Sequence, residues 1–584
     1  MPFTSPSWVP KLPEIPDSIS IDQFMWDENY NRHPLGYSRP PFTCGLTGKA
    51  YSALEVKERI DHLARGLAKE LGWQPNQRTE WDKVIGVFSV NTIDTLTLAW
   101  ATHRLGGLQT PANAAYSAEE LQYQLRDSGA KCLFTCLPLL EASLQAARAV
   151  GLPENRVYIL EMPKVATGGQ EAPKQYKTVQ QLIDEGSKQP RLEPLNWKQG
   201  QGKTQCAFLC YSSGTSGLPK GVKISHYNVI ANTLQISTYD KPYRDTKIEP
   251  RNQSDYIENA LGLLPMSHIY GLVVICHASV YRGDGVVVLP KFEFKSFLQA
   301  IQNYKINTLY LVPPIIILMT KNKNVMDQFD LSSVQGIFTG AAPLGQETAD
   351  DLQKLYPDWS IRQGYGLTET STVVCSTSGQ DIWFGSSGSL LPGITVKLMS
   401  IEGVEITGYD QPGELVVNSP SVVMGYLNKP EADKETFQDG WMRTGDEAVI
   451  RVAPSGHEHV FIVDRIKELI KVKGLQVAPA ELEAHLLTHP SVADCAVIPV
   501  PDERAGEVPK AFVVKSTSVG LEESDRMVAR EIAKHVEEHK ARHKWLKGGV
   551  EFIDVIPKSP SGKILRRLLR DKEREVRRAK GAKL

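Results

Sequence analysis

Through the first two thirds of the chain, short apolar runs alternate with stretches of helical periodicity, and this alternation narrows the fold more than any other feature of the sequence. VIGVFSV (84–90) reads as a buried strand, followed by a helical stretch through Ala99 and Leu105 that stops at Gly106-Gly107. AKCLFTC (130–136) reads as a second strand, and LPLLEASLQAARAVG (137–151) as a helix closed by Gly151. Strand then helix, repeated, predicts an α/β fold built on a mostly parallel sheet covered on both faces.

The texture changes twice. Between 395 and 463 short apolar runs such as GELVVNS and HVFIVD are separated by Gly, Pro and Asp, which predicts a β-rich subdomain. After 464 comes a compact α+β tail with the strands DCAVIPV and KAFVVK and a helix ending at Gly548-Gly549. The expected division is 1–463, containing the β-rich part at about 395–463, and a small unit at 464–584. The opening MPFTSPSWVPKLPEIP is broken by prolines and reads as an extended arm. The most apolar stretch, 309–319, is interrupted by Pro313 and Pro314 and falls short of the roughly 20 residues a membrane span needs.

Charge restricts the partners. Sixty-six Lys plus Arg against 67 Asp plus Glu leave a formal charge of −1, which offers no global field for nucleic acid or an anionic membrane. Any anion must be held locally. The eight cysteines form no C-x-x-C and sit among apolar neighbours, so neither disulfides nor structural zinc are expected.

The local grip for an anion is YSSGTSGLPKGV (211–222), directly after the apolar run CAFLC. Ser212, Ser213, Thr215 and Ser216 supply hydroxyls, Gly214 and Gly217 let backbone N–H groups close on phosphate, and Lys220 adds positive charge. It is not the P-loop of kinases, because the Gly-Lys-Ser/Thr ending is missing.

Six further stretches follow in order: LGLLPMSHIYG (261–271), FTGAAPLG (338–345), QGYGLTET (363–370), GWMRTGD (440–446), VDRIKELIKVKGLQVAP (463–479) and PKSPSGKILRR (557–567). Together with the Ser/Gly loop, this series resembles the adenylate-forming enzymes, which include acyl-CoA synthetases, beetle luciferases and peptide-synthetase adenylation domains. The wording of 463–485 is most similar to the 4-coumarate–CoA ligase branch, and the whole chain to its fungal peroxisomal phenylacetyl-CoA ligases. The resemblance implies a large N-terminal lobe of two doubly wound subdomains plus a β-barrel, joined by a hinge to a small mobile C-terminal lid. It also implies ATP, Mg²⁺ and coenzyme A as co-substrates, with a small carboxylic acid joined first to AMP and then to the CoA thiol.

By that resemblance the loop from Ser212 to Lys220 would hold the β- and γ-phosphates, Thr368 the α-phosphate, and Glu369 the Mg²⁺ ion. Tyr365 would face adenine, and Asp446 would accept from the ribose hydroxyls with Arg465 assisting. Lys291, Ala341, Gln363 and Gly364 complete the implied nucleotide and CoA contacts. Lys563 matches the lid lysine that bridges the carboxylate and the α-phosphate. Lys471 and Gln476 would act in thioester formation after the lid turns, with Lys467 at the hinge and Lys473-Gly474 along the CoA tunnel.

The implied acyl pocket involves His268, Tyr270, Val274, Gly340, Ala341 and Gly364, with His268 at the wall toward the CoA tunnel. No acidic residue is among them, so the ammonium of an amino acid would go unpaired. The preferred acid is aryl or arylacetic, phenylacetate-like; a cinnamate, a medium-chain fatty acid, a luciferase-like oxidation of the same adenylate and a non-catalytic nucleotide switch are the alternatives. Ala582-Lys583-Leu584 differs by one small residue from the peroxisomal address S-K-L, which predicts an import receptor as partner and the peroxisomal matrix as location. The series His535, His539, His543 has metal-ligand spacing but is interleaved with Glu and Lys, and reads as a solvated helix face.

Overall fold

A computed structural model of the chain describes residues 2–212, 219–248, 255–473, 475–516, 524–559 and 562–581. The strand–helix alternation produces two sheets. In the first, the strand order is Val157–Ile159, Cys132–Thr135, Val84–Phe88, Leu108–Ala112, Cys206–Ser212, Lys220–Ser225, with every pairing parallel except the last. The second has eight strands, parallel from Phe42–Cys44 across to Ser360–Leu367 and antiparallel at the edge formed by Thr372–Ser376 and Ser389–Leu390. One apolar core runs through both sheets and into the β-rich region.

Pro313 and Pro314 do not merely interrupt the apolar stretch. The strand Thr308–Leu311 ends before them, and they open the helix Pro313–Lys321, where a missing N–H costs nothing.

The β-rich region is a seven-stranded antiparallel sheet. The implied barrel does not close in its hydrogen bonding: among the described residues no pairing joins its outer strands Phe3–Thr4 and Glu458–Arg465. The edge at Val460 bonds instead to 387–388 of the large lobe, so the subdomain is completed by its neighbour. The N-terminal arm contributes Phe3–Thr4, paired with Thr395–Met399.

The C-terminal unit has a five-stranded sheet, a helix Pro479–Leu486, a helix Asp525–His539, a terminal helix Arg566–Gly581 and an apolar core of its own. The helix expected to run to Gly548-Gly549 stops at His539. Lys540 leaves in an extended conformation because it and Lys544 pair with Glu481, while the Trp545 indole donates to the Lys540 carbonyl. The eight cysteines are free and buried. Among the described residues no helix is long and apolar enough to cross a membrane.

Candidate active site

Ser213, Gly214, Thr215, Ser216 and Gly217 lie outside the described residues, but both ends of their loop are placed. The strands Cys206–Ser212 and Lys220–Ser225 pair antiparallel with Ser212 opposite Lys220, so the loop closes a hairpin. The Ser212 hydroxyl donates to Glu369 Oε1 at 3.3 Å, and the Tyr426 hydroxyl donates to the same oxygen at 3.0 Å. The Lys220 ammonium sits 4.7 Å over the Tyr426 ring, a cation–π contact. Burial and the Glu369 carboxylate push the Tyr426 phenol up, so it stays a donor. Tyr426 belongs to none of the sequence motifs; it reaches the site through a bridge to Val222 that only the fold creates.

Two signature stretches leave the carboxyl ends of adjacent parallel strands, Gly336–Thr339 and Ser360–Leu367, where open α/β sheets bind ligands. Thr368 opens a short 3-10 turn with Glu369 beside it. Glu369, the Ser212 hydroxyl and Thr368 form the oxygen-only donor set that a hard cation such as Mg²⁺ requires. Gln363 departs from the expected ligand role. Its carbonyl accepts from the Leu344 N–H at 2.8 Å and its amide donates to the Ser386 carbonyl at 3.2 Å, so both ends are spent holding the loop over the strand ends.

Asp446 and Arg465 are brought together by strand register. They sit opposite one another in the pairing of Trp441–Val452 with Glu458–Arg465, with Arg465 Nε 3.5 Å from Asp446 Oδ1. The Tyr365 hydroxyl donates to Asp446 Oδ2 at 2.6 Å, which fixes the orientation of the ring proposed for adenine. Burial raises the Asp446 pKa, and Arg465 and Tyr365 oppose that rise.

The acyl-wall residues are mutual neighbours. Tyr270 and Val274 are buried in the π-helical segment Tyr270–Ala278, a widened turn of the kind that concentrates at functional sites. The Tyr270 hydroxyl donates to the Phe338 carbonyl at 2.8 Å. A Cβ at Gly340 would lie 3.5 Å from the Tyr270 ring, and one at Gly364 would meet Phe338 at 2.6 Å, so the second glycine is sterically required. Ala341 has φ +68, a left-handed conformation that costs a non-glycine residue on the order of 1 kcal/mol. His268 is half-buried, its Nδ1 accepts from the Tyr270 N–H at 3.3 Å, and burial together with nearby Lys563 lowers its pKa to about 4.

Lys563 comes from the C-terminal unit into this neighbourhood. Burial lowers its pKa and Arg465 lowers it further, while Glu468, Asp446 and Glu369 draw it back up. Its loop is clasped by Ser559, whose N–H donates to the Lys563 carbonyl at 2.8 Å and whose hydroxyl accepts from the Lys563 N–H at 3.2 Å. Gly562 has φ +82, and a Cβ there would stand 3.2 Å from Val312 of the large lobe, so the lid meets the lobe at this glycine.

Arg566, three residues on, escaped the sequence reading although it lies inside the quoted PKSPSGKILRR. It is buried, with Nη1 2.9 Å from Glu468, Nη2 2.6 Å from Glu483, and Nε donating to the Val497 carbonyl at 3.2 Å. The hinge, the helix Pro479–Leu486 and the Lys563 loop are thereby joined at one guanidinium.

Lys471 and Gln476 are not at the site. They are cross-strand partners on the hairpin Ile470–Val472 and Leu475–Val477, and both are exposed. Lys473, with φ +51, and Lys467 are exposed beside them; Lys291 is exposed beyond the strand Gly285–Val288, and Gly474 lies outside the described residues.

The AMP-binding enzyme pattern matches residues 36–427, and that of the AMP-binding enzyme C-terminal domain matches 481–563. The acyl-CoA ligase easD of Emericella nidulans is 43% identical over 574 residues, covering 98% of this chain and 100% of that one. The acyl-CoA ligase cm3C of Cordyceps militaris is 41% identical, covering 98% and 90% respectively. In fold, the chain is similar to the anthranilate CoA ligase AuaEII in complex with anthranoyl-AMP, with a TM-score of 0.79 at 22% identity and coverage of 95% and 98%. ATP-bound MatB from Rhodopseudomonas palustris gives 0.77 at 23%, with coverage of 96% and 99%. With matches that span both lobes and relatives aligned along nearly the full length, the chain belongs to the AMP-binding enzyme family.

Proposed function

We propose that this chain is an AMP-forming carboxylic acid:CoA ligase acting on an aryl or arylacetic acid. The observation that carries the reading is the placement of the lid: Lys563 faces Asp446 and Glu369, while Lys471 and Gln476 sit exposed on another part of the same small unit. In the first half-reaction a carboxylate oxygen bonds to the α-phosphorus and pyrophosphate leaves. Lys220 and Lys563 offset the charge of the two anions, Asp446 orients the ribose, and Tyr365 holds the base. Mg²⁺ held by Glu369 would balance the phosphate charge. In the second, the CoA sulfur bonds to the acyl carbon and AMP leaves. The curated fungal relatives named acyl-CoA ligases support CoA as the acceptor.

The buried Tyr270 ring, Val274 and the side-chain-free Gly340 and Gly364 make a flat, apolar boundary without a carboxylate, which favours a planar ring over an ammonium-bearing acid. A pyrophosphate-release screen over aryl, arylacetic, cinnamic and C4 to C18 acids, with and without CoA, tests the reading. Acid-dependent pyrophosphate and AMP, with thioester only when CoA is present and the highest kcat/KM for an aryl or arylacetic acid, are expected; ADP, or a preference for a long-chain acid, would overturn it.

Lys471→Ala is expected to spare pyrophosphate release and to slow thioester formation by on the order of 10- to 100-fold, since a misplaced thiol loses that much in effective orientation. An adenylation defect alone would count against this role. The peroxisomal location belongs to the same proposal: Ala582-Lys583-Leu584 lies outside the described residues and follows a strongly charged helix. Deleting the three residues should move a fluorescent fusion from puncta to the cytosol, and unchanged puncta would refute the address.

A further inference from the structure

The histidines of the lid do not form the solvated face that their charged neighbours suggest. His543 leaves the helix and sits in the separate turn Arg542–Lys544, whereas His535 is half-buried and stacks on His485, which arrives from the helix Pro479–Leu486. The His485 and His535 rings are 4.3 Å apart and within 2° of parallel, and His539 lies 5.0 Å from His535 and 5.2 Å from His485. Each of the three offers a ring nitrogen, and these nitrogens all lie within 4.8 Å of one another.

We propose that His485, His535 and His539 form a site for one borderline divalent transition-metal cation, zinc being the probe, which staples the helix Pro479–Leu486 to Asp525–His539. Three observations carry it. Two ligands lie at i and i+4 on one helix face and the third comes from a second helix, so neither helix completes the site alone. Imidazole nitrogens without carboxylates suit zinc, nickel or copper better than Mg²⁺ or Ca²⁺. The rings are also ready to bind: burial lowers the pKa of His485 and of His535, so their lone pairs are available at neutral pH.

The ring nitrogens already have weak partners. His485 Nε2 lies 3.2 Å from the His535 carbonyl, His539 Nδ1 2.9 Å from the same carbonyl, and His535 Nε2 3.0 Å from the Thr488 hydroxyl. Tetrahedral zinc with Zn–N bonds of about 2.0–2.1 Å needs its nitrogens about 3.4 Å apart, so the rings must swing inward by about an ångström. His489 packs edge-on against His535 at 5.2 Å, with its Nδ1 occupied by the Ser491 N–H. It serves as a wall, and the remaining coordination position is left to water. The site is apart from the nucleotide residues but near the lobe–lid contact, where a Cβ on Gly345 would meet Ala484 at 3.2 Å. The inference does not depend on the reaction proposed above.

The test uses the full-length protein, stripped with chelator and dialysed without ATP against zinc chloride in excess Mg²⁺, with bound metal and melting temperature measured. Wild type is expected to keep one zinc per chain and to melt higher with zinc. Loss of even an outer-shell partner costs a metal site on the order of 10–100-fold in affinity, so His535→Ala and His539→Ala should lose at least that. His543→Ala should bind as wild type. His539 is exposed near a helix end, where alanine is a good helix former, so that variant folds. No zinc on wild type, equal zinc on His539→Ala, or an equal loss in His543→Ala would each overturn the site.

Discussion

Replacing Lys563 by alanine is expected to lower acid-dependent pyrophosphate release by about 100- to 1,000-fold, the usual effect of removing one preorganised donor from a site of developing charge. Conversion of supplied acyl-adenylate to thioester should fall far less. The asymmetry follows from where the ammonium stands: it shares a half-enclosed region with Asp446, Glu369 and Arg465, and burial makes its charge unfavourable until an anion arrives. That cost also predicts the stability of the variant. A lysine whose pKa is lowered on folding destabilises the folded state while it is protonated, so removing it should leave the melting temperature unchanged or slightly raised. Loss of activity then cannot be assigned to unfolding. Lys563→Arg should recover little, because the planar fork demands a geometry that a flexible ammonium does not. Equal loss of both half-reactions would refute the assignment.

The two sheets were legible because their strands are buried on both faces, which writes near-continuous apolar runs such as VIGVF into the sequence. The motifs gave the positions of Glu369, Asp446 and Lys563, and the fold adds the register that sets Asp446 opposite Arg465. What stayed hidden depends on pairings between distant segments. Tyr426 meets Glu369 only after its segment bridges to Val222, and neither residue carries a spacing that announces this. His485 and His535 stack although they lie 50 residues apart in the chain, so a search confined to helical spacing finds His543 and misses the actual third member. The helix end at His539 was set by Lys540 and Lys544 reaching back to Glu481, a tertiary contact that overrode a glycine pair farther on.

Arg566→Met is expected to destabilise the lid by about 3–5 kcal/mol, because it leaves Glu468 and Glu483 buried without their common partner. The lid has its own core, so the loss should appear as faster hydrogen exchange in the strands Val492–Asp502 and Gly506–Lys515 while the large lobe keeps its protection. pH separates this explanation from simple loss of packing. Burial already raises the Glu483 pKa, and the Arg566 charge is what opposes that rise. Without the guanidinium the carboxylate pKa climbs further above its unfolded value of about 4.3, so the folded variant binds extra protons between those two values and its stability falls as pH rises through that window. The deficit relative to wild type should therefore shrink as pH is lowered from neutral toward 5. A pH-independent deficit would mean that Arg566 acts through its hydrocarbon stem alone. Arg566→Lys keeps the charge but can no longer serve both carboxylates and the Val497 carbonyl with one rigid fork, so it should recover part of the stability and less of the adenylation rate. That split identifies Arg566 as a positioning residue, acting on the reaction through the loop that carries Lys563.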